Sequence, residues 1–338
     1  MTDKICNDSV CEVNHMLNNI NMSSPTEDDN IVPVCANCGK EGTDINNICN
    51  KCKQVRYCNA ACKKKHRHKH KKKCEEHVRL AAEHAAKLHD ERLFKQPPSL
   101  YGDCPICFQR LPTLESGSIY YSCCGKMICS GCAHAPVFDN QGNEIDNEKC
   151  PFCRTDPDPK SNEEGIEREK KRMDLNDPIA IFNLGCWYRD GRNSFPQEYD
   201  KALELFHRAA ELGCAKSYCS IGVYYENGRG VEIDIKRAVH YYELAAMMGD
   251  AYARANLGLR EKKADNMDRA LKHFMIAARD GLAPSLKVIK QLYTNGHATK
   301  DDYTKALQLY QAYYWERLRV IRGTKPPQLT RGIVTIKS

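Results

Sequence analysis

The segment IGVYYENGRGVEIDIKRAVHYYELAAMMGD, residues 221–250, decides the fold of the C-terminal half of this chain of 338 residues, because its landmarks recur along the sequence. Its Arg237-Ala238 pair has counterparts at Lys201-Ala202, Arg269-Ala270 and Lys305-Ala306. The intervals between successive pairs along the chain are 36, 32 and 36 residues. Double alanines, closing glycines and earlier Leu-Gly or Ile-Gly pairs follow the same register. Four landmarks in one register indicate an internal repeat.

Each repeat unit is expected to be a pair of antiparallel helices. The string KALELFHRAAELG, residues 201–213, places its alanine, leucine and phenylalanine residues at helical spacing on one face. The alanines permit close approach of two helices, and the closing Gly213 suits a left-handed helix end. One unit cannot bury its own apolar face, so the units must stack. The sequence therefore predicts an all-α solenoid of about four units over residues 176–320.

The strings LGCWYRDGRN…YDKALELFHRAAELG and residues 221–250 resemble Sel-one-like repeats, which are related to tetratricopeptide repeats. The third unit lacks the glycine-rich loop, and the fourth, which ends in YQAYYWERLRV, resembles a capping unit. The resemblance implies a protein-binding scaffold without chemistry of its own. Cys186, Cys214 and Cys219 fall inside these helices, and we expect them to be small buried residues rather than ligands.

The remaining cysteines are clustered. Fifteen of the 20 lie between Cys35 and Cys153. Residues 1–19 do not show the pattern of a secretory signal peptide, which is a positively charged segment followed by an apolar one. No stretch approaches 18 apolar residues, so a membrane span is not expected. We therefore expect a reducing intracellular compartment, cytoplasmic or nuclear, in which clustered cysteines bind metal. The polar residues 1–33, with Cys6 and Cys11 as free thiols, are expected to be disordered, and residues 321–338 to form a tail.

The first cluster consists of four ligand pairs over residues 35–74. They are Cys35-x2-Cys38, Cys49-x2-Cys52, Cys58-x3-Cys62 and His70-x3-Cys74. A two-residue spacer brings two sulfurs to one metal by a tight turn, and a three-residue spacer does so on one helix face. Eight ligands suit two closed tetrahedral zinc sites. A connecting helix is expected to follow over residues 75–98, until prolines end it.

The string CANCGK…CNKCKQVRYCNAACKKKHRHKHKKKC resembles the MYND zinc finger, whose ligands are interleaved. The resemblance implies that Cys35, Cys38, Cys58 and Cys62 hold one zinc, and Cys49, Cys52, His70 and Cys74 the other. Lys63 stands where the family usually has glutamine, and Arg67 where it has tryptophan. The family spacing favours His70 as the ligand, with His66 and His68 solvated. MYND fingers typically bind proline-containing peptides.

The net charge of +7 is local, because the run Lys63–Lys73 carries eight formal positive charges and no acid. Three interpretations of this run stay open: a solvated helix face, a nuclear import signal or a nucleic-acid contact. Nucleic acid is the least favoured partner for the whole chain, because the basic residues form one run with little aromatic interleaving.

The second cluster, over residues 104–154, also contains four pairs. They are Cys104-x2-Cys107, the adjacent Cys123-Cys124, Cys129-x2-Cys132 and Cys150-x2-Cys153. Eight sulfurs again suit two zinc ions, which makes four per chain. The string resembles a RING finger, in which the first and third pairs share one zinc and the second and fourth the other. Because Lys126 replaces the usual histidine, we expect Cys123 and Cys124 to be ligands, with His134 as the alternative. Residues 155–175 are expected to be a linker.

The fold class that follows is multidomain: two small zinc-stabilised modules, MYND-like and cross-brace RING-like, and then an all-α helical-repeat solenoid. The RING resemblance implies a ubiquitin ligase that docks a ubiquitin-conjugating enzyme through Ile106, Pro151 and Arg154, with no catalytic side chain. The alternative is a non-enzymatic adaptor or nuclear co-regulator that binds proteins or peptides. Exposure of Ile106 would favour the ligase, and its burial against the solenoid would favour the adaptor.

Overall fold

The structure is a computed structural model, and it describes residues 33–322 apart from 44, 98–99, 115–116, 135–136, 139–140, 142–143 and 146–148. Side chains are described only up to residue 315, and not for 137–138 or 144–145. Residues 1–32 and 323–338 of the predicted tails, with Cys6 and Cys11, and Pro98 lie outside the described residues. None of the helices described in these ranges has the length and apolarity to cross a membrane.

The chain divides into two compact units, one up to Leu93 and the other from Phe94 onward. In the first unit, an antiparallel hairpin of β1 (Asn47–Ile48) and β2 (Arg56–Tyr57) precedes α1 (Ala60–Leu93). A small core of Cys35, Ile45 and Tyr57 lies beneath this hairpin.

Helix α1 begins inside the first cysteine cluster and runs continuously through the segment expected to be a separate connecting helix. It contains 34 residues and buries only His70, Cys74 and Leu93. Leu80 and Leu88 are exposed, in agreement with the weak apolar stripe of this segment. Most of the helix is therefore solvated, and its first turns belong to the metal-binding module.

The second unit begins with the second cysteine cluster. It comprises the antiparallel pairs β3 (Ser118–Tyr121) with β4 (Lys126–Cys129) and β5 (Val137–Phe138) with β6 (Glu144–Ile145), and the short helix α2 (Ser130–Ala133). Its core contains three cysteines, Cys104, Cys129 and Cys150, packed with Leu111, Tyr121 and Ile128. Few apolar side chains fill this module, as expected where metal ions replace a core.

Nine helices follow among the described residues. They are α3 (Asn162–Asp174), α4 (Pro178–Asp190), α5 (Tyr199–Glu211), α6 (Ala215–Asn227), α7 (Ile235–Met247), α8 (Ala251–Lys263), α9 (Met267–Arg279), α10 (Ala283–Thr294) and α11 (Lys300–Arg322). Each repeat unit is a pair, from α4/α5 to α10/α11, and consecutive pairs pack side by side. The closing glycines have φ of 90°, 97° and 93°, as the sequence predicts. The fold class predicted from the sequence, cysteine-rich modules before an all-helical array, is confirmed.

The Leu-Gly and Ile-Gly landmarks have a packing reason. A Cβ at Gly222 would lie 2.6 Å from the ring of Tyr242, and one at Gly258 would lie 2.9 Å from Phe274. An aromatic ring of the second helix thus lies directly on the backbone of the first helix in each of the first three units. Only glycine allows this approach, which explains why the glycine repeats with the same period as the alanines.

The second cluster packs against the repeats within the same unit. The Tyr120 hydroxyl of β3 donates a hydrogen bond of 2.9 Å to Asp177, the residue that caps the N-terminus of α4. Leu114 packs against Ala251, Ala277 and Leu282 of the later repeats. Helix α2 also lies against α11. The cluster and the helical array are therefore one packed body rather than two modules joined by a loose linker.

Candidate metal centres

The structure brings the predicted ligands together in four groups of four. Within each group the ligand atoms all lie within 4.8 Å of one another. The groups in the first unit are Cys35, Cys38, Cys58, Cys62 and Cys49, Cys52, His70, Cys74. The groups in the second unit are Cys104, Cys107, Cys129, Cys132 and Cys123, Cys124, Cys150, Cys153. Both clusters are thus interleaved, with first and third pairs together and second and fourth pairs together.

The distances within these groups fit a tetrahedral metal. Zinc–sulfur bonds of about 2.3 Å place neighbouring sulfurs about 3.8 Å apart at the corners of a tetrahedron. The observed Sγ–Sγ distances are 3.7 Å for Cys38–Cys58, 3.6 Å for Cys49–Cys74 and 3.7 Å for Cys107–Cys129. In the fourth group, the sulfurs of Cys124 and Cys150 are 3.6 Å apart. The donor sets, all thiol and imidazole, are those of structural zinc sites.

The electrostatics of the first group also fit a bound cation. Hydrogen bonding from the backbone of Cys58 lowers the pKa of the Cys35 thiol to about 6, although burial opposes this shift. Contact with the Cys62 sulfur, together with burial, raises the pKa of Cys58 to about 12. Four crowded sulfurs cannot all ionise by themselves, and a divalent ion removes this mutual repulsion.

Lys63 holds the second ligand pair in place. Its ammonium group donates to the Ile48 carbonyl at 2.7 Å and to the Asn50 side chain at 2.8 Å, on either side of Cys49. Lys63 therefore supports the turn that carries Cys49 and Cys52 rather than extending into solvent with the rest of the basic run. This contact gives the departure from the MYND pattern at this position a structural role.

His66 is also part of the site, and the expectation that it is solvated is wrong. Its Nδ1 lies 3.2 Å from the hydroxyl of the buried Tyr57, and its ring stacks on that of His70 with a centroid distance of 5.8 Å. Positions 62, 66, 70 and 74 are four residues apart on α1, so one helix face carries Cys62, His66, His70 and Cys74. Spacing in the sequence contained this signal. His68 points away and is exposed, as expected.

The fourth group uses the adjacent pair Cys123-Cys124, and His134 is not in it. The turn between β3 and β4 carries both cysteines, followed by Gly125 with φ of 73°. His134 lies at the C-terminal end of α2, where its amide donates to the Ser130 carbonyl. The Thr155 hydroxyl lies 2.9 Å from the Cys153 sulfur, so it orients this ligand, a contact that the ligand spacing does not predict.

The three predicted partner-binding residues lie at the surface of the second cluster. Ile106 is 41% exposed, and Pro151 and Arg154 are exposed as well. Phe152, between Pro151 and the last ligand, is also exposed. Ile106 is therefore not buried against the helical array.

Family models match two parts of the chain. The MYND finger model matches residues 35–74, and the Sel1 repeat model matches residues 178–214, 215–250 and 291–312. No RING family model matches residues 104–153. The third repeat unit is absent from the matched segments, in line with its short loop of three residues between α8 and α9.

Relatives resemble only part of this chain. An F-box protein of Arabidopsis thaliana, At1g70590, is 29% identical over 110 residues, which is 32% of this chain and 30% of the relative. The chitin synthase regulator SKT5 of Saccharomyces cerevisiae is 31% identical over 86 residues, 25% of this chain and 12% of the relative. The chain thus spans less than a third of the length of these two relatives.

Among solved structures, a Sel1 repeat protein from Oxalobacter formigenes has 32% identity and a TM-score of 0.40, with 45% of this chain and 64% of that chain covered. The matched segments and the ligand geometry lead to one conclusion. This chain carries a MYND zinc finger at residues 35–74, a second interleaved cysteine cluster and an array of Sel1 repeats.

Proposed function

We propose that this protein is a zinc-dependent protein-interaction scaffold whose second cluster recruits a ubiquitin-conjugating enzyme. The Sel1 repeats and the MYND finger are protein-interaction modules, and they would select the partners to be modified. The observation that carries the ligase proposal is the exposure of Ile106, Pro151 and Arg154 on a cluster with the interleaved ligand order of a RING finger. We also propose that the protein works in a reducing compartment, the cytoplasm or the nucleus, where cysteine ligands are not oxidised to disulfides.

The proposed mechanism is one of positioning. Ile106 and Pro151 supply apolar contact area for the conjugating enzyme, and the Arg154 guanidinium supplies several fixed hydrogen-bond donors for its ubiquitin thioester. Holding the thioester in a reactive pose accelerates transfer without any catalytic side chain in this protein. Zinc at all four ligand groups is part of the proposal, and its contribution is structural: it holds these surface residues on a module with little apolar core.

The test is a reconstituted transfer assay. The zinc-loaded chain is incubated with ubiquitin, activating enzyme, ATP and a panel of conjugating enzymes. We expect ubiquitin chains with at least one conjugating enzyme, and loss of this activity in Ile106→Ala and Arg154→Ala. Ile233→Ala is the matched control, because Ile233 is exposed in a loop of the repeats. Absence of transfer with every conjugating enzyme would contradict the ligase proposal.

The second candidate is a non-enzymatic adaptor. It is favoured by the packing of the second cluster on the helical array through Tyr120, Asp177 and Leu114, since a module built into a scaffold needs no separate activity. This candidate predicts that the Ile106 and Arg154 variants bind the same set of proteins as the unmodified chain. The contribution of the MYND finger is tested by measuring the affinity of the purified protein for proline-containing peptides. The same affinity is measured for His70→Ala, which removes one metal ligand of the finger.

A further inference from the structure

The outer surface of α1 next to the MYND finger is strongly positive. Seven cations of the run 63–73 are exposed: Lys64, Lys65, Arg67, Lys69, Lys71, Lys72 and Lys73. We call them the outer cations. Among the residues that the structure describes, none of the seven is within ion-pair distance of an acidic group. Two of the acids that follow on α1 pair further along the helix, Glu83 with Arg79 and Glu91 with Lys87.

The finger fixes which side of the helix these cations occupy. Cys62, His66, His70 and Cys74 face the metal sites, and Lys63 is tied to the Ile48 carbonyl. At about 100° per residue, the outer cations occupy the remaining arc of roughly 240°, over an axial length of about 14 Å. Positive charge therefore lies on the side of the helix opposite the finger and on both sides adjacent to it.

Several of these cations repel one another. Lys65 and Lys69, Lys69 and Lys73, and Arg67 and Lys71 are each four residues apart on the helix, where like charges are destabilising. The inward face holds the helix through the ligands, so this repulsion persists in the folded protein. A polyanion that contacts the segment would relieve it.

We propose that the outer cations bind the phosphate backbone of duplex DNA, with this part of α1 lying in the major groove. The groove is about 12 Å wide and admits one α-helix, with phosphates along both walls. Cations spread over about 240° can reach both walls together, whereas a flat lipid surface meets only one side of a helix. Arg67 is the one arginine among the outer cations, and residues 64–73 contain no asparagine or glutamine, so few side chains there could read base edges. The binding would therefore be independent of DNA sequence.

As a linear run, the basic residues define no particular surface. The helix arranges them as one basic surface, which favours the nucleic-acid contact among the three interpretations of the run. The proposal does not depend on ligase activity, because it concerns the first unit alone.

The test is fluorescence anisotropy of a labelled 20-base-pair duplex of mixed sequence with the full zinc-loaded chain, at several salt concentrations. Contacts to about four to seven phosphates give a slope of log Kobs against log salt of roughly −4 to −6. The variant Lys65→Gln/Lys69→Gln/Lys72→Gln should reduce the slope by about 3 units and weaken binding about tenfold or more at moderate salt. Glutamine keeps a high helix propensity, and none of the three residues is a ligand.

The matched control is Lys236→Gln/Lys263→Gln/Lys290→Gln, which removes the same charge from exposed positions on the repeats. It should leave both affinity and slope unchanged. Native mass spectrometry of both triple variants should give the unmodified zinc content, so a loss of binding would not be a loss of folding. Anionic vesicles and polyglutamate serve as competitors. Binding to either in preference to DNA, a slope near zero, or equal losses in both triple variants would overturn the proposal.

Discussion

The turn that carries Cys123 and Cys124 is packed on the partly buried ion pair Arg172–Asp177 at the start of the repeats, and Gly125→Ala tests this coupling. Gly125 has φ of 73°, and an added Cβ would overlap both the Arg172 guanidinium and the Asp177 carboxylate. Arg172 donates two hydrogen bonds, of 3.1 and 2.8 Å, to the carboxylate of Asp177, whose side chain is only 7% exposed. A methyl group at position 125 must therefore displace either this pair or the metal-binding turn.

Two free-energy costs add in this variant. The left-handed conformation costs alanine about 1 to 2 kcal/mol. Displacing the guanidinium leaves a buried carboxylate without its charged partner, which costs about 3 kcal/mol, near the lower end for a broken buried pair. The lower value applies because Tyr120 and two backbone amides still donate to Asp177. We expect a total near 4 to 5 kcal/mol.

Gly102→Ala is the matched control for the backbone strain. Gly102 has φ of 69°, nearly that of Gly125, but a Cβ there would have nothing within 4 Å. Gly102→Ala should therefore cost only the strain of about 1 to 2 kcal/mol. For a unit of about 230 residues, each kcal/mol lowers Tm by about 2 to 4 °C.

The assay is thermal unfolding followed by circular dichroism at a helix-sensitive wavelength, with zinc in slight excess. Gly125→Ala should lower Tm by at least about 8 °C, and Gly102→Ala by clearly less. In an Arg172→Ala background the guanidinium no longer obstructs position 125, so Gly125→Ala should cost less than in the unmodified chain, but still more than Gly102→Ala, because the Asp177 carboxylate remains 2.5 Å from the added Cβ. Equal shifts for the two glycine variants in the unmodified background would refute the coupling.

Three further outcomes can be checked directly. By native mass spectrometry the chain should hold four zinc ions; Cys124→Ser should lose one of them and His134→Ala none. Lys63→Ala should weaken zinc at the Cys49 site by about 10- to 100-fold in a chelator competition, because the turn loses its anchoring ammonium group; unchanged competition would exclude this role. Burial raises the pKa of Glu169 to about 7, so its ionisation costs stability as the pH rises through 7. Glu169→Gln should therefore match the unmodified chain near pH 4 and exceed its stability at pH 8 by up to about 3 kcal/mol in urea unfolding, and a constant difference across this range would contradict the pKa.

The sequence determined the features that depend on local spacing. Two- and three-residue intervals between ligands define pairs because a turn or one helix face brings such residues together without help from the rest of the chain. The periodic alanines and glycines of the repeats work in the same way, since each unit repeats the same local contacts, such as Gly222 against Tyr242. For this reason the fold class and the ligand pairs could be predicted from one sequence, whereas the order in which the pairs share a metal was implied by the resemblance to MYND and RING fingers.

Only the tertiary structure decided the features that depend on distant residues. The choice of Cys123 and Cys124 over His134 follows from where the β3–β4 turn meets the last ligand pair. The inward side chain of Lys63 within a run of basic residues follows from the way α1 packs on the finger. The attachment of the second cluster to the repeats depends on the bond from Tyr120 to Asp177, 57 residues apart in the chain. Such contacts form only when the whole unit has folded, because no local pattern brings the two residues together.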